Sequence, residues 1–108
     1  MITINIKRND KNEIISFSLE GHAGFAESGN DIVCAAVSAI TNMIIIGFEK
    51  LDIVPSFKKN DGGYLSFDLP RDLSEDQSEK IQYLLACMTE EFMDIQKNYN
   101  KYVKVNEI

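Results

Sequence analysis

The sequence has 108 residues, of which 44% are hydrophobic and 26% charged, a usage that fits one globular domain over 1–108 and excludes disordered, collagen-like and fibrous chains. Its formal net charge is -6, with eleven Lys and Arg scattered along the chain, so direct nucleic-acid binding is disfavoured, because phosphates call for a concentrated basic face. With one histidine, two cysteines and no CxxC, a closed zinc site would need carboxylates or a second subunit, and no metal or cofactor is expected.

Ile2, Ile4 and Ile6 alternate with Thr3, Asn5 and Lys7, the period of two that sends apolar side chains to one face of a strand. This start is a strand, not the long apolar run of a signal peptide. The polar turn Arg8 to Asn12 reverses the chain, and Ile15, Phe17 and Leu19 repeat the alternation. The two segments are expected to pair as an antiparallel hairpin.

The stretch 21–30 reads GHAGFAESGN, with three glycines and no sustained period, which marks a flexible connection. A helix is predicted next over Asp31 to Leu51, with Asn30 or Asp31 as its cap. Its apolar residues lie on nearly every side, so it needs cover on several sides, part of it from a second copy of the chain. Cys34, Ser38, Thr41 and Asn42 form a small polar stripe at helical spacing. Ser38, Thr41 and Asn42 interrupt the apolar run, which is expected to fall short of the roughly 18–20 residues that cross a bilayer. A cytoplasmic protein is therefore expected, and in a reducing compartment the widely separated Cys34 and Cys87 make a poor structural disulfide.

After Pro55, Phe57 and the segment Tyr64 to Leu69 flank Asn60-Asp61-Gly62-Gly63, a second hairpin with Asp-Gly turn chemistry. Ser74 and Gln77 have the spacing of a capping box, and Ile81, Leu84, Leu85, Met88, Phe92 and Ile95 give the following helix one apolar face. Strand alternation returns at Tyr102 to Val105. The fold class that follows is α+β: two layers, a mainly antiparallel sheet with two helices packed on one face.

A thiol is a useful nucleophile when partly ionised, and a helix N-terminus favours the anion. Cys34 falls in the first turn of the predicted helix, where its own N–H and its neighbours' also suit an oxyanion. His22, at the end of a strand, is positioned to serve as general base to the thiol and general acid to a leaving amine. Asp31 is first a helix cap and second an orienting group for the imidazole. For Ser38, a hydroxyl bonded back to a main-chain carbonyl is the simpler role, and Cys87 is expected to be plain packing in the second helix. Gly21, Gly24 and Gly29 are turn residues that also let a substrate backbone pass close by. Phe25 is either a loop anchor or a core plug.

Gly21-His22-Ala23, the glycine-containing segment after it, and Asp31-Ile32-Val33-Cys34-Ala35-Ala36-Val37-Ser38 resemble the signature of the ribosomal-processing cysteine protease family Prp. The resemblance spans the whole chain in length and element order. It implies a Cys34 nucleophile with His22 as its acid/base partner and Asp31 and Ser38 as auxiliaries. It also implies a homodimer and, as substrate, the N-terminal extension of a large-subunit ribosomal protein, cut during ribosome assembly. An apolar cleft beside a lid built from 23–30, with Ala23, Gly24, Phe25 and Gly29 next to Gly21, would suit the apolar substrate segment. Two other classes remain: a noncatalytic assembly factor whose acidic surface holds a basic ribosomal protein, and a redox-sensing thiol protein.

Overall fold

The computed structural model describes residues 1–21, 28–60 and 63–108, with the side chains of 28–31 excepted. Along the chain run β1 (Ile2–Arg8), β2 (Ile14–Gly21), α1 (Ser28–Lys50), β3 (Ser56–Asn60), β4 (Tyr64–Asp68), α2 (Glu75–Asn98) and β5 (Val103–Glu107). The strands form one sheet in the order β3-β4-β2-β1-β5. All pairings are antiparallel except that of β1 with β5. The expected two-layer α+β arrangement is the one found. Asp61 and Gly62, the centre of the second hairpin turn, lie outside the described residues.

Register explains which face is buried. Ile4 stands opposite Leu19, Ile6 opposite Phe17, Phe17 opposite Phe67, and Ile2 opposite Val103. Strand periodicity puts all of them on one side of the sheet. There they merge with Val33, Val37, Ile44 and Phe48 of α1 and Ile81, Leu85, Met88, Phe92 and Ile95 of α2 into one core. Phe17 and Phe67 stack with centroids 4.9 Å apart, and Phe48 leans on Phe67 at 5.7 Å. The opposite face keeps Asn5, Ser18 and Asn106, which hydrogen-bond among themselves.

Strict alternation in β2 predicts that Ile15 points inward, yet Ile14 is the buried residue and Ile15 is only half-buried. The register slips between Lys7 and Arg8, so that Arg8 faces Ile14. One extra residue at such a bulge shifts the inward position by one.

The predicted capping box is present: the Ser74 side chain accepts from the Gln77 N–H, and Gln77 accepts from the Ser74 N–H. Glutamines of α2 go further and hold the ends of other elements. Gln77 donates to the Leu51 carbonyl at 2.9 Å, Gln82 makes two 2.8 Å bonds to the N–H and C=O of Ile14, and the Gln96 carbonyl accepts from the Val105 N–H. Gln82 thus satisfies main-chain groups near the irregular end of the first hairpin, which would otherwise cost desolvation free energy.

α1 begins at Ser28, ahead of the predicted start, so Asn30 and Asp31 lie inside the helix and neither caps it. A single glycine weakens a helix by only about 1 kcal/mol. Gly29 is therefore absorbed into α1 and does not belong to the connection. Length and composition correct another expectation. Ile32–Lys50 has 19 residues and a mean hydropathy of 1.9, long and apolar enough to cross a membrane by that measure alone. Thr41 does not interrupt the run, because its hydroxyl donates to the Val37 carbonyl at 2.8 Å within the helix. Here the helix has three faces. One is buried in the core, one carries Cys34, Ser38 and Asn42, and one leaves Ile32, Met43 and Ile46 exposed.

Candidate active site

A cleft of about 410 Å³ opens between α1 and the β3–β4 hairpin. Its floor comes from the core face of the sheet, with Ile2, Leu19 and Leu65. One wall is the polar stripe of α1, where Cys34, Ser38 and Asn42 recur every four residues and Thr41 lies three beyond Ser38, the offsets that put residues along one side of a helix. The other wall includes Phe57, Lys59 and Asn60 of β3 and Tyr64 of β4. Lys59 is the one charged side chain among the described lining residues.

Gly21 also lines this cleft, as the last residue of β2. Its φ is +94°, a conformation open chiefly to glycine, and a Cβ there would collide with the Met1 carbonyl. Its N–H donates to the Gly63 carbonyl at 3.1 Å, and it stands opposite Ile2 in the β1–β2 ladder. The backbone that leads into His22 is therefore held at the edge of the cleft that contains Cys34. Gly21 was expected to be a turn residue; it is instead the last residue of β2, kept as glycine by its positive φ and the closeness of the Met1 carbonyl.

His22, Ala23, Gly24 and Phe25 lie outside the described residues. Asp31 and Gly29 have helical backbone, and the side-chain role expected of Asp31 lies outside what is described. Cys34 and Ser38 share the cleft wall.

Two expectations about the thiol change. Cys34 is the seventh residue of α1, not a first-turn residue. Only the first four amides of an α-helix lack an intrahelical acceptor, so the Cys34 N–H is committed to the helix and is no longer a natural oxyanion donor. The field of the helix end also fades beyond the first turn, which leaves more of the activation of the thiol to a neighbouring base.

Cys34 is half-buried and Cys87 exposed, and neither is in a disulfide. Plain packing was expected for Cys87, but the apolar face of α2 passes through Leu85, Met88 and Phe92 and leaves position 87 on the outer side. Cys87 does not line the cleft. Back-bonding was expected of Ser38 and is found at Thr41 instead. The Ser38 side chain is exposed in the cleft wall, with no such bond among the described residues.

Sequence reading picked out the α1 stripe and missed the opposite wall. Phe57 and Lys59 alternate within an otherwise polar five-residue strand whose positions are all exposed. That alternation was a readable signal, but which cleft it would face depends on how β3 folds back beside α1.

Residues 1–104 match the family model described as "Cysteine protease Prp". The ribosomal processing cysteine protease Prp of Bacillus subtilis is 38% identical over 112 residues, an alignment that takes in 97% of this chain and 96% of the relative. Among solved structures, the S. aureus ribosomal processing protease Prp in complex with a substrate peptide superposes with a TM-score of 0.83 at 26% identity, covering 100% of both chains. The same S. aureus protease with a covalently linked product peptide gives a TM-score of 0.80 at 26% identity, again over 100% of each chain.

Proposed function

This chain belongs to the cysteine protease Prp family, and we propose that it removes the N-terminal extension of a large-subunit ribosomal protein with Cys34 as nucleophile and His22 as its acid/base partner. The observation that carries the assignment of residues is a juxtaposition. Cys34 lines the one wall of a cleft whose rim is Gly21, and His22 is the next residue in the chain.

In the proposed reaction the imidazole takes the Cys34 proton, and the thiolate attacks the carbonyl carbon of the scissile peptide to give a tetrahedral oxyanion. Collapse breaks the C–N bond, and the imidazolium returns its proton to the leaving amine. Water, deprotonated by the same imidazole, then hydrolyses the thioester and frees Cys34. Asp31 and Ser38 are auxiliaries in this reading, and Ser38 sits one helical turn from Cys34 on the same cleft wall. Gly21 forms part of the substrate site, with Ala23, Gly24 and Phe25 in the adjoining stretch and Gly29 at the start of α1.

The apolar floor of the cleft, with its single lysine and no carboxylate among the described lining residues, supports an apolar peptide as the occupant. The exposed Ile32, Met43 and Ile46, at 60%, 55% and 52% exposure, support a homodimer that covers this face of α1. Work on a ribosomal protein places the enzyme in the cytoplasm, where no nucleic acid need be bound directly.

Incubation of the purified chain with the extended ribosomal protein tests the reading. Wild type is expected to release the extension, with the rate lowered by about three orders of magnitude or more in Cys34→Ala and in His22→Ala. Cys87→Ala should cut normally. Cleavage that survives Cys34→Ala would overturn the assignment of the nucleophile.

A further inference from the structure

The cleft is longer than a dyad needs. Cys34 and Ile45 both line it, and eleven residues of α-helix at 1.5 Å each separate them by roughly 16 Å. An extended peptide advances roughly 3.3 Å per residue, so about five residues fit alongside.

The far end can be located. Phe57 and Phe48 both pack on Phe67, with ring centroids 5.0 Å and 5.7 Å away, and Phe48 lies toward the C-terminal end of α1. The chain turns back at once after that helix, with the Ile53 N–H bonded to the Phe48 carbonyl at 2.9 Å. Phe57 therefore stands at the end of the groove remote from Cys34. Its ring leans on Phe67 at an interplanar angle of 50° and is 49% exposed. A half-exposed ring backed by the core offers an apolar shelf to a side chain laid across it.

Between the two ends lies Asn42, exposed on the cleft wall, two helical turns from Cys34. Its amide carries both a donor and an acceptor, the pair that a passing peptide unit presents in reverse.

Resting on the proteolytic reading, we propose that a substrate segment of about five residues lies extended in the groove between α1 and β3. Phe57 selects a large apolar side chain about four positions from the scissile bond, and Asn42 holds the main chain between that side chain and the cut. Phe57 is a specificity determinant of the reaction, and Asn42 a binding residue that serves every sequence alike. The segment's continuity with the Cys34 end of the same cleft makes substrate, and not an unrelated protein, the occupant.

The test uses Cys34→Ala protein and fluorescent peptides spanning the cut site, with serine placed singly at each of the five positions on either side. Binding is read by anisotropy, with and without the additional change Phe57→Ala. One position, three to five residues from the cut, is expected to lose about tenfold in affinity on serine replacement when Phe57 is present and almost nothing when it is absent. Phe57→Leu should restore most of the discrimination, and Asn42→Ala should weaken all the peptides alike. Equal losses in both backgrounds, or no binding by Cys34→Ala protein, would overturn the proposal. So would a Phe57→Ala variant whose weaker binding comes with a changed solution mass, since Phe57 would then belong to a contact between copies. Cleavage by wild type is scored separately: cutting without coupling to Phe57 removes only this inference, whereas an intact substrate removes the protease assignment.

Discussion

Replacing Gly21 by alanine puts the link between fold and active site under direct test. Two penalties act at this position. A residue with a side chain at a positive φ costs about 1–2 kcal/mol, and Gly21 sits at +94°. The added Cβ also meets the Met1 carbonyl, which is main chain and cannot rotate away. The next residue, Ile2, is tied by its N–H to the Tyr102 carbonyl at 2.8 Å, so β1 resists displacement and the crowding adds about 1–3 kcal/mol. Alanine returns about 0.4–1 kcal/mol by restricting the unfolded chain. The net loss is about 2–3 kcal/mol, which for a domain of this size lowers Tm by about 10 °C. Gly47→Ala is the matched control. Gly47 is in α1, where its new Cβ would meet the Leu84 Cδ1 at 2.8 Å, a movable side-chain tip, and alanine gains about 1 kcal/mol of helix propensity. Calorimetry should show a large drop for Gly21→Ala and a shift of only a few degrees for Gly47→Ala. A Gly21→Ala protein that melts with wild type, or the same loss at both positions, would refute the argument.

Other perturbations read other parts of the fold. Ser74→Ala removes the side-chain half of the capping box and should lower stability by about 1 kcal/mol in urea titration, with an unchanged m-value. Gln82→Ala strips both bonds from the Ile14 main chain; a loss of about 1–3 kcal/mol is expected, together with faster amide exchange at Ile14, and unchanged protection there would count against the clamp. Ile46→Asp puts a charge on the exposed apolar face of α1. Sedimentation velocity should show the proposed dimer replaced by a folded monomer, and a monomeric wild type would dispose of that interface.

The elements themselves were legible because local patterns carried them. Alternation over Ile2 to Ile6 announced β1, the Ser74–Gln77 pair marked the start of α2, and the spacing from Ile81 to Ile95 named its buried face. Local pattern failed where a competing force acted. The glycine at 29 and the cap candidates at 30 and 31 argued for a later helix start, yet helix propagation carried α1 back to Ser28. The even spread of apolar residues around α1 gave no sign of which face would be core, which cleft and which exposed.

By itself the sequence determined the order of strands and helices, the two-layer class, and the His22, Asp31, Cys34 and Ser38 spacing that carried the family resemblance, since each is read from local periodicity or from one continuous stretch of chain. Only the tertiary structure decided that the Cys34 stripe faces Phe57 and Lys59 across a groove, that Cys87 stays outside it, and that the main chain of Ile14 needs Gln82. Those relations join residues far apart in the chain, and their partners are chosen by packing on a shared core, which no local periodicity encodes.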